Sequence, residues 1–356
     1  MLSLTVILFL WMLYVVCISQ RQNAEGFSVG NTKPIRGLLA WLIVMNHISL
    51  WLTYGIPPLS WNARPTSISN FISEFQCYGY LVVSVFFFIS GYGLIKSLIN
   101  KGQEYVNTFA SKRFPRMIVP FVICILTFIL LDDLLFDERI SILRLDSWRG
   151  NCPLLPTSWY VIVIILFYGI FYVFARTLHS PLLVTFAMWC FIFSYMAIMA
   201  YTGFREYWWM TTGCIGIGMT IGLYEEKILH FVSVKYKLLC EALFLIWLLF
   251  YHINIDYLPQ CDTGIIPLLA IARSGVFAVI VWFYVSCTGF FHNKLLNLMG
   301  NISYEIYLVQ GMVILFCSRL SSGYAVHTIP LLFLIFAVTS IFAVIVNKSS
   351  RMMLRK

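Results

Sequence analysis

Arg36 and His47 stand eleven residues apart in the segment Pro34-Ile35-Arg36-Gly37-Leu38-Leu39-Ala40-Trp41-Leu42-Ile43-Val44-Met45-Asn46-His47-Ile48, an arginine where an apolar helix opens and an imidazole well inside it. On a helix, eleven steps of about 100° return to within roughly 20° of the starting direction, and ~1.5 Å per residue sets the two side chains on one face about 16 Å apart along the axis. An imidazole exchanges protons near neutral pH, and an ionisable group at that depth marks a functional position. Hydrogen bonding between helices is the plain alternative, and spacing alone does not separate the two.

Two further segments carry chemistry-bearing groups. The apolar run Val85-Phe86-Phe87-Phe88-Ile89-Ser90-Gly91-Tyr92-Gly93 leads towards Lys112-Arg113-Phe114-Pro115-Arg116-Met117-Ile118-Val119-Pro120. Arg113 and Arg116, three apart at the start of a helix, share a face and can grip one polyanionic group with forked hydrogen bonds; equally, they can be charged anchors flanking a membrane span. In Gly300-Asn301-Ile302-Ser303-Tyr304-Glu305-Ile306-Tyr307-Leu308-Val309-Gln310, the residues Ser303, Tyr307 and Gln310 fall at three- and four-residue spacing and line one stripe. That stripe suits a site, or the polar contacts by which membrane helices hold one another.

The elements that position these groups are membrane helices. Of 356 residues 60% are hydrophobic and only 11% charged, outside the range of soluble domains. The expected fold is an all-α polytopic membrane protein with apolar stretches near the spanning length of ~20 residues. Eleven spans are expected, at 2–19, 35–53, 79–97, 117–135, 158–175, 181–200, 207–224, 238–253, 265–290, 297–317 and 328–347. With the 20–34 linker in the cytoplasm, alternate loops and the tail collect 17 of the 24 Lys and Arg. The positive-inside rule then sets the C-terminus in the cytoplasm and the N-terminus outside. The first stretch lacks a basic n-region and a small-x-small cleavage site, so it reads as a helix and not a cleaved signal.

The net charge of +9 is spread over the cytoplasmic loops, which fits anionic lipid headgroups and excludes a nucleic-acid site. Ten cysteines show no metal-ligand spacing and no metal is expected; Cys152, Cys261 and Cys77 lie at the outer surface, where two of them could form a disulfide. Arg273 is expected either to meet an anionic acceptor or a carboxylate such as Glu305, or to snorkel to the outer surface. Asp132, Asp133, Asp137 and Glu138 are expected to form an acidic outer rim, a solvated loop or else a surface that hydrogen-bonds sugar hydroxyls. Gly213, Gly216, Gly218 and Gly222 read as close helix packing.

The ordered motifs Arg36-x10-His47, Phe87-Phe88-Ile89-Ser90-Gly91-Tyr92, Arg113-x-x-Arg116 before Pro120, Ser158-Trp159-Tyr160 at the start of the fifth span, and Ser303-Tyr304-x-x-Tyr307-Leu308 together resemble the membrane acyltransferase family three. These are O-acetyltransferases of bacterial surface polysaccharides and their relatives. The resemblance implies a ten-helix core over 34–347, preceded by an additional helix and linker at 1–33 and followed by a basic tail at 348–356. It implies an acyl-CoA donor, acetyl-CoA being the commonest, a carbohydrate hydroxyl as acceptor, and a bacterial inner membrane. His47 takes the catalytic role with Arg36 as its companion, Arg113 and Arg116 bind the cofactor, and Ser90, Trp159, Tyr304, Tyr307 and Gln310 are candidates for binding substrate.

The charged end of coenzyme A cannot enter hydrocarbon, so its phosphates would remain at the cytoplasmic face near Arg36, Arg113 and Arg116 while the thioester reaches His47. His47 could act as general base or carry the acyl group itself. The chain departs from the family at Gln310, where members commonly show histidine. Some members also carry a C-terminal extracytoplasmic hydrolase-like domain, whereas this sequence ends nine residues after its last span. Acceptor modification is therefore expected in the membrane domain or on a separate extracytoplasmic transferase, with polysaccharide assembly proteins as further partners. The competing class is a transporter or flippase of a lipid-linked sugar or small solute, which would not depend on acyl-CoA. No internal repeat of the kind transporters show is visible.

Overall fold

The computed structural model describes residues 27–54, 79–136, 154–230, 265–287, 294–321 and 328–354. Among these residues every regular element is a helix: α1 (Val29–Tyr54), α2 (Gly79–Phe136), α3 (Trp159–Leu178), α4 (Pro181–Tyr201), a 3-10 turn (Glu206–Trp208), α5 (213–230), α6 (Ile265–Cys287), α7 (Lys294–Asn301), α8 (Ser303–Ser321) and α9 (Thr328–Leu354). Four helices, within α2, α3, α4 and α9, are long and apolar enough to cross a bilayer, and the bent pair α7–α8 makes a fifth. The expected spans 2–19 and 238–253, Cys77, Cys152, Cys261, Asp137 and Glu138 lie outside the described residues.

Helix boundaries differ from the sequence expectation where small or polar residues intervene. Helix α2 is 58 residues long. At ~1.5 Å per residue a continuous helix of that length would exceed a ~30 Å hydrocarbon core severalfold. Gly102, at φ 53° and ψ −135°, breaks it between the third and fourth expected spans, in a conformation open to glycine. The tenth expected span bends by 74° between α7 and α8. Ser303 Oγ donates to the Gly300 carbonyl at 3.1 Å across that bend.

The chain packs as two units. The first comprises residues up to Thr32, Tyr80–Phe109 and Leu166–His292. In it α5 lies backbone to backbone on α2: a Cβ at Gly218 would collide with the Phe88 carbonyl, and one at Gly91 with that of Ile215. Tyr92 donates to Glu225 at 2.5 Å, and the other oxygen of that carboxylate pairs with Lys96 at 2.8 Å. Arg273 is 5% exposed and lies over the Tyr80 ring at 5.3 Å. It is thus inside the first unit and does not snorkel.

The second unit comprises Lys33–Gly79, Ala110–Ile165 and Asn293–Lys356. Its axis is α8. Tyr304 donates to the Met117 carbonyl at 2.8 Å, Phe316 meets Phe128 with ring centroids 5.9 Å apart, and Arg319 pairs with Asp132 at 2.8 Å. The two outer contacts are fifteen residues apart on both helices, so α8 and the second half of α2 run parallel for about 22 Å. Helix α1 packs beside α8: Gly37 faces Gly300 at the end of α7, and ten residues on, past the bend, His47 meets Gln310 of α8. Trp41 donates to Met299 Sδ and its ring meets Phe336 of α9. Helix α9 returns antiparallel, its Asn347 donating to Glu305 near the start of α8 at 2.7 Å.

Asp132, expected in a solvated rim, is 3% exposed and paired. Removing one partner of a buried ion pair leaves the other charge uncompensated, at a cost of about 3–5 kcal/mol. Arg319→Met should therefore lower unfolding stability in detergent by that amount, and Arg319→Met combined with Asp132→Leu should recover most of it. Equal stability of Arg319→Met and wild type would contradict this role.

Candidate functional site

His47 is half-buried on α1, twelve residues past Ile35, where the expected span begins. Its Nδ1 lies 2.9 Å from Gln310 Oε1. With the Gln310 amide oxygen toward the ring, an atom that only accepts, the contact assigns the ring proton to Nδ1 and leaves Nε2 its lone pair. Gln310 is wholly buried, and its Nε2 donates to Thr157 Oγ1 at 2.8 Å. One turn earlier on α8, Tyr307 donates to the Thr157 carbonyl at 2.6 Å. The Tyr307 ring packs edge-on to Tyr160 at 5.3 Å. A proton-accepting nitrogen on a partly accessible imidazole, oriented by a buried amide that is itself anchored, is the arrangement of a general base or nucleophile.

A groove of about 610 Å³ opens in the same unit, lined by Ser111, Lys112, Pro115, Arg116 and Pro120 of α2, Glu305 of α8, and Asn347, Ser350, Arg351 and Leu354 of α9. Three cations face one carboxylate, so the lining is net positive and suits a polyanion. Lys112 and Arg116 reach it together because they are four apart on one helical stripe. Pro115 and Pro120 have no N–H to give to the carbonyls of Ser111 and Arg116. The Tyr304 hydroxyl fixes the backbone next to Arg116 through Met117. Glu305 precedes Gln310 by five residues, so the groove lies about 7.5 Å along α8 from the amide that holds His47.

Of the residues singled out by sequence, the second unit brings together His47, Gln310, Tyr307, Tyr304 and Arg116. Arg36 shares α1 with His47 and is half-buried beside the Gly37–Gly300 contact. Trp159 opens α3, edge-on to Tyr160. Arg113 is half-buried and not on the groove lining, the neighbouring stripe supplying Lys112 instead. Ser90 belongs to the first unit. The hydroxyls of Tyr304 and Tyr307 and the amide of Gln310 are engaged within the protein, which makes these residues supports for the site. Glu305 accepts a hydrogen bond from Asn347.

Thr157, Asn347 and Arg351 were not singled out from sequence. Arg351 is visible there only as one of several tail cations. Thr157 lies before a helix in a stretch whose conformation the pattern leaves open. Among the described residues no cluster of His, Cys, Asp or Glu is assembled that could hold a metal ion.

A hydrogen bond to a charged group contributes about 1.5–3 kcal/mol, roughly ten- to a hundredfold in affinity. Pyrophosphate should therefore bind the groove, more weakly as salt is raised, and Arg116→Ala or Arg351→Ala should each reduce its affinity by at least about tenfold in calorimetric titration. Unchanged affinity in both variants would show that the groove is not an anion site.

No curated protein and no solved structure matches the chain. Residues 35–348 match a family described as an acyltransferase domain, which spans the motifs at Arg36, His47, Arg113, Arg116 and Gln310 and nearly the whole chain. The chain belongs to acyltransferase family 3.

Proposed function

We propose that this acyltransferase takes an acyl group, acetyl in the first instance, from a cytoplasmic acyl-CoA and transfers it to a hydroxyl of a cell-surface polysaccharide or its lipid-linked precursor. The observation that carries this reading is His47, with its proton held on Nδ1 by Gln310, in one unit with a cationic groove. The donor phosphates bind Lys112, Arg116 and Arg351, and the thin pantetheine arm runs inward beside α8. Arg36 and Arg113 add positive charge at the same membrane side. The charge distribution supports a cytoplasmic groove and C-terminus and an outside N-terminus, and family membership supports a bacterial inner membrane.

In the reaction, His47 Nε2 takes the proton of the acceptor hydroxyl as its oxygen bonds to the thioester carbonyl carbon. The carbon–sulfur bond then breaks, and the leaving thiolate receives that proton from the imidazolium. Proton transfer by a positioned side chain contributes about 10²–10⁴-fold, and the groove contributes donor affinity. The alternative for the last step is that a separate extracytoplasmic transferase modifies the acceptor, and polysaccharide assembly proteins are further partners of the proposed reaction.

The division of roles is measurable with acetyl-CoA and protein in nanodiscs. His47→Ala should lower kcat at least about a hundredfold while acyl-CoA still binds. Arg116→Ala with Arg351→Ala should raise KM for acyl-CoA about tenfold or more with a smaller change in kcat. A well-folded His47→Ala protein with full activity would remove the histidine from the chemistry, and ping-pong kinetics would assign it an acyl-imidazole in place of direct transfer.

A further inference from the structure

Thr157 stands where its backbone does not favour it. Ser158 N–H donates to the Leu155 carbonyl at 3.2 Å, closing a four-residue turn with Pro156 second and Thr157 third. Thr157 has φ 65°. Proline at the second position and positive φ at the third are the signature of a type II turn, whose third position selects glycine or asparagine. A β-branched residue there is an outlier.

The surroundings hold the turn in place. Leu155 is wholly buried, and Ser158 Oγ also donates to its carbonyl at 2.8 Å. Tyr307 binds the Thr157 carbonyl at 2.6 Å. Gly311 lets the turn rest directly on α8, since a Cβ there would lie 2.5 Å from the Pro156 oxygen and 2.6 Å from Thr157 Oγ1. None of these contacts requires a side chain at position 157. The one contact that does is the hydrogen bond from Gln310 Nε2 to Thr157 Oγ1. Strain in the backbone together with a spent side-chain hydroxyl indicates selection for the hydroxyl.

We propose that Thr157 is a positioning residue for the reaction: its hydroxyl anchors the Gln310 amide with Oε1 towards His47, and so keeps the ring proton on Nδ1 and the lone pair on Nε2. An amide is close to symmetric in shape and a hydroxyl can accept or donate; in the observed orientation Thr157 Oγ1 accepts from Gln310 Nε2, and without it the amide loses the bond that holds it there. The role rests on the acyltransfer reading for its kinetic consequences, while the hydrogen-bond geometry stands on its own.

The test compares Thr157→Gly, Thr157→Val and Thr157→Ser in the full-length protein. Glycine relieves the positive φ and so offsets part of the cost of the lost buried hydrogen bond, whereas valine loses the bond and keeps the strain, so Thr157→Gly should fold and melt above Thr157→Val. Its kcat should nevertheless fall about tenfold or more, with KM for acyl-CoA within about twofold of wild type. Thr157→Val should lose kcat likewise, and Thr157→Ser should recover it to within about threefold. Nitrogen NMR of ring-labelled histidine should show His47 as the single Nδ1–H tautomer in wild type and Thr157→Ser, but not in Thr157→Gly. Wild-type kcat and tautomer in Thr157→Gly would overturn the proposal, as would equal impairment of the glycine and serine variants. If wild type does not turn over acyl-CoA, the acyltransfer reading fails, and the tautomer comparison still decides the role of Thr157.

Discussion

The second unit is organised around a buried amide. Gln310, in the middle of α8, has its oxygen on His47 of α1 and its nitrogen on Thr157 before α3. A buried polar group that lacks partners is expensive in an apolar interior, so meeting both ends of this amide constrains three separate segments at once. The other contacts of α8 serve the same constraint. Tyr304 and Arg319 fix its two ends to α2, Asn347 ties its start to α9, and Gly311 brings the turn at Thr157 within reach. The glycine pair at positions 37 and 300 then draws α1 close enough for His47 to arrive opposite Gln310.

This framework separates two tasks along one helix. Near the start of α8, polar and cationic side chains from α2 and α9 surround Glu305 in a groove suited to a charged donor. About one and a half turns further on stand the imidazole of His47 on Gln310 and the packed rings of Tyr307 and Tyr160. In the proposed reaction the thioester needs a positioned base and the nucleotide needs cations and water, and separate depths satisfy both. Glu305 within the cationic groove has a plain structural use, since Asn347 binds it and so ties α9, which brings Ser350 and Arg351, to α8.

Much of this was legible in the sequence, for identifiable reasons. The eleven-residue spacing of Arg36 and His47 and the Ser303, Tyr307, Gln310 stripe follow from helical periodicity, and both sets fall on the helices expected. What periodicity does not encode is which of two adjacent stripes faces a neighbour, so Arg113 was paired with Arg116 where Lys112 lines the groove. It does not reveal tertiary partners: Asp132 read as a solvated rim and is buried against Arg319, and Arg273 read as snorkelling and lies over Tyr80. Nor does it reveal a turn conformation that runs against residue preference, which is why Thr157 went unnoticed. Tyr304 and Tyr307 lie on the helix that periodicity predicts, and their hydroxyls hold backbone carbonyls.

The most direct measurement is thiol release from acetyl-CoA by the purified protein in nanodiscs, followed continuously with a thiol reagent in the presence of a hydroxyl acceptor. The predicted result is release well above the buffer rate, suppressed competitively by 3′,5′-ADP, which presents two of the donor's three phosphates without its thioester. Release at the buffer rate by folded protein, with no binding of acetyl-CoA or 3′,5′-ADP, would contradict the account.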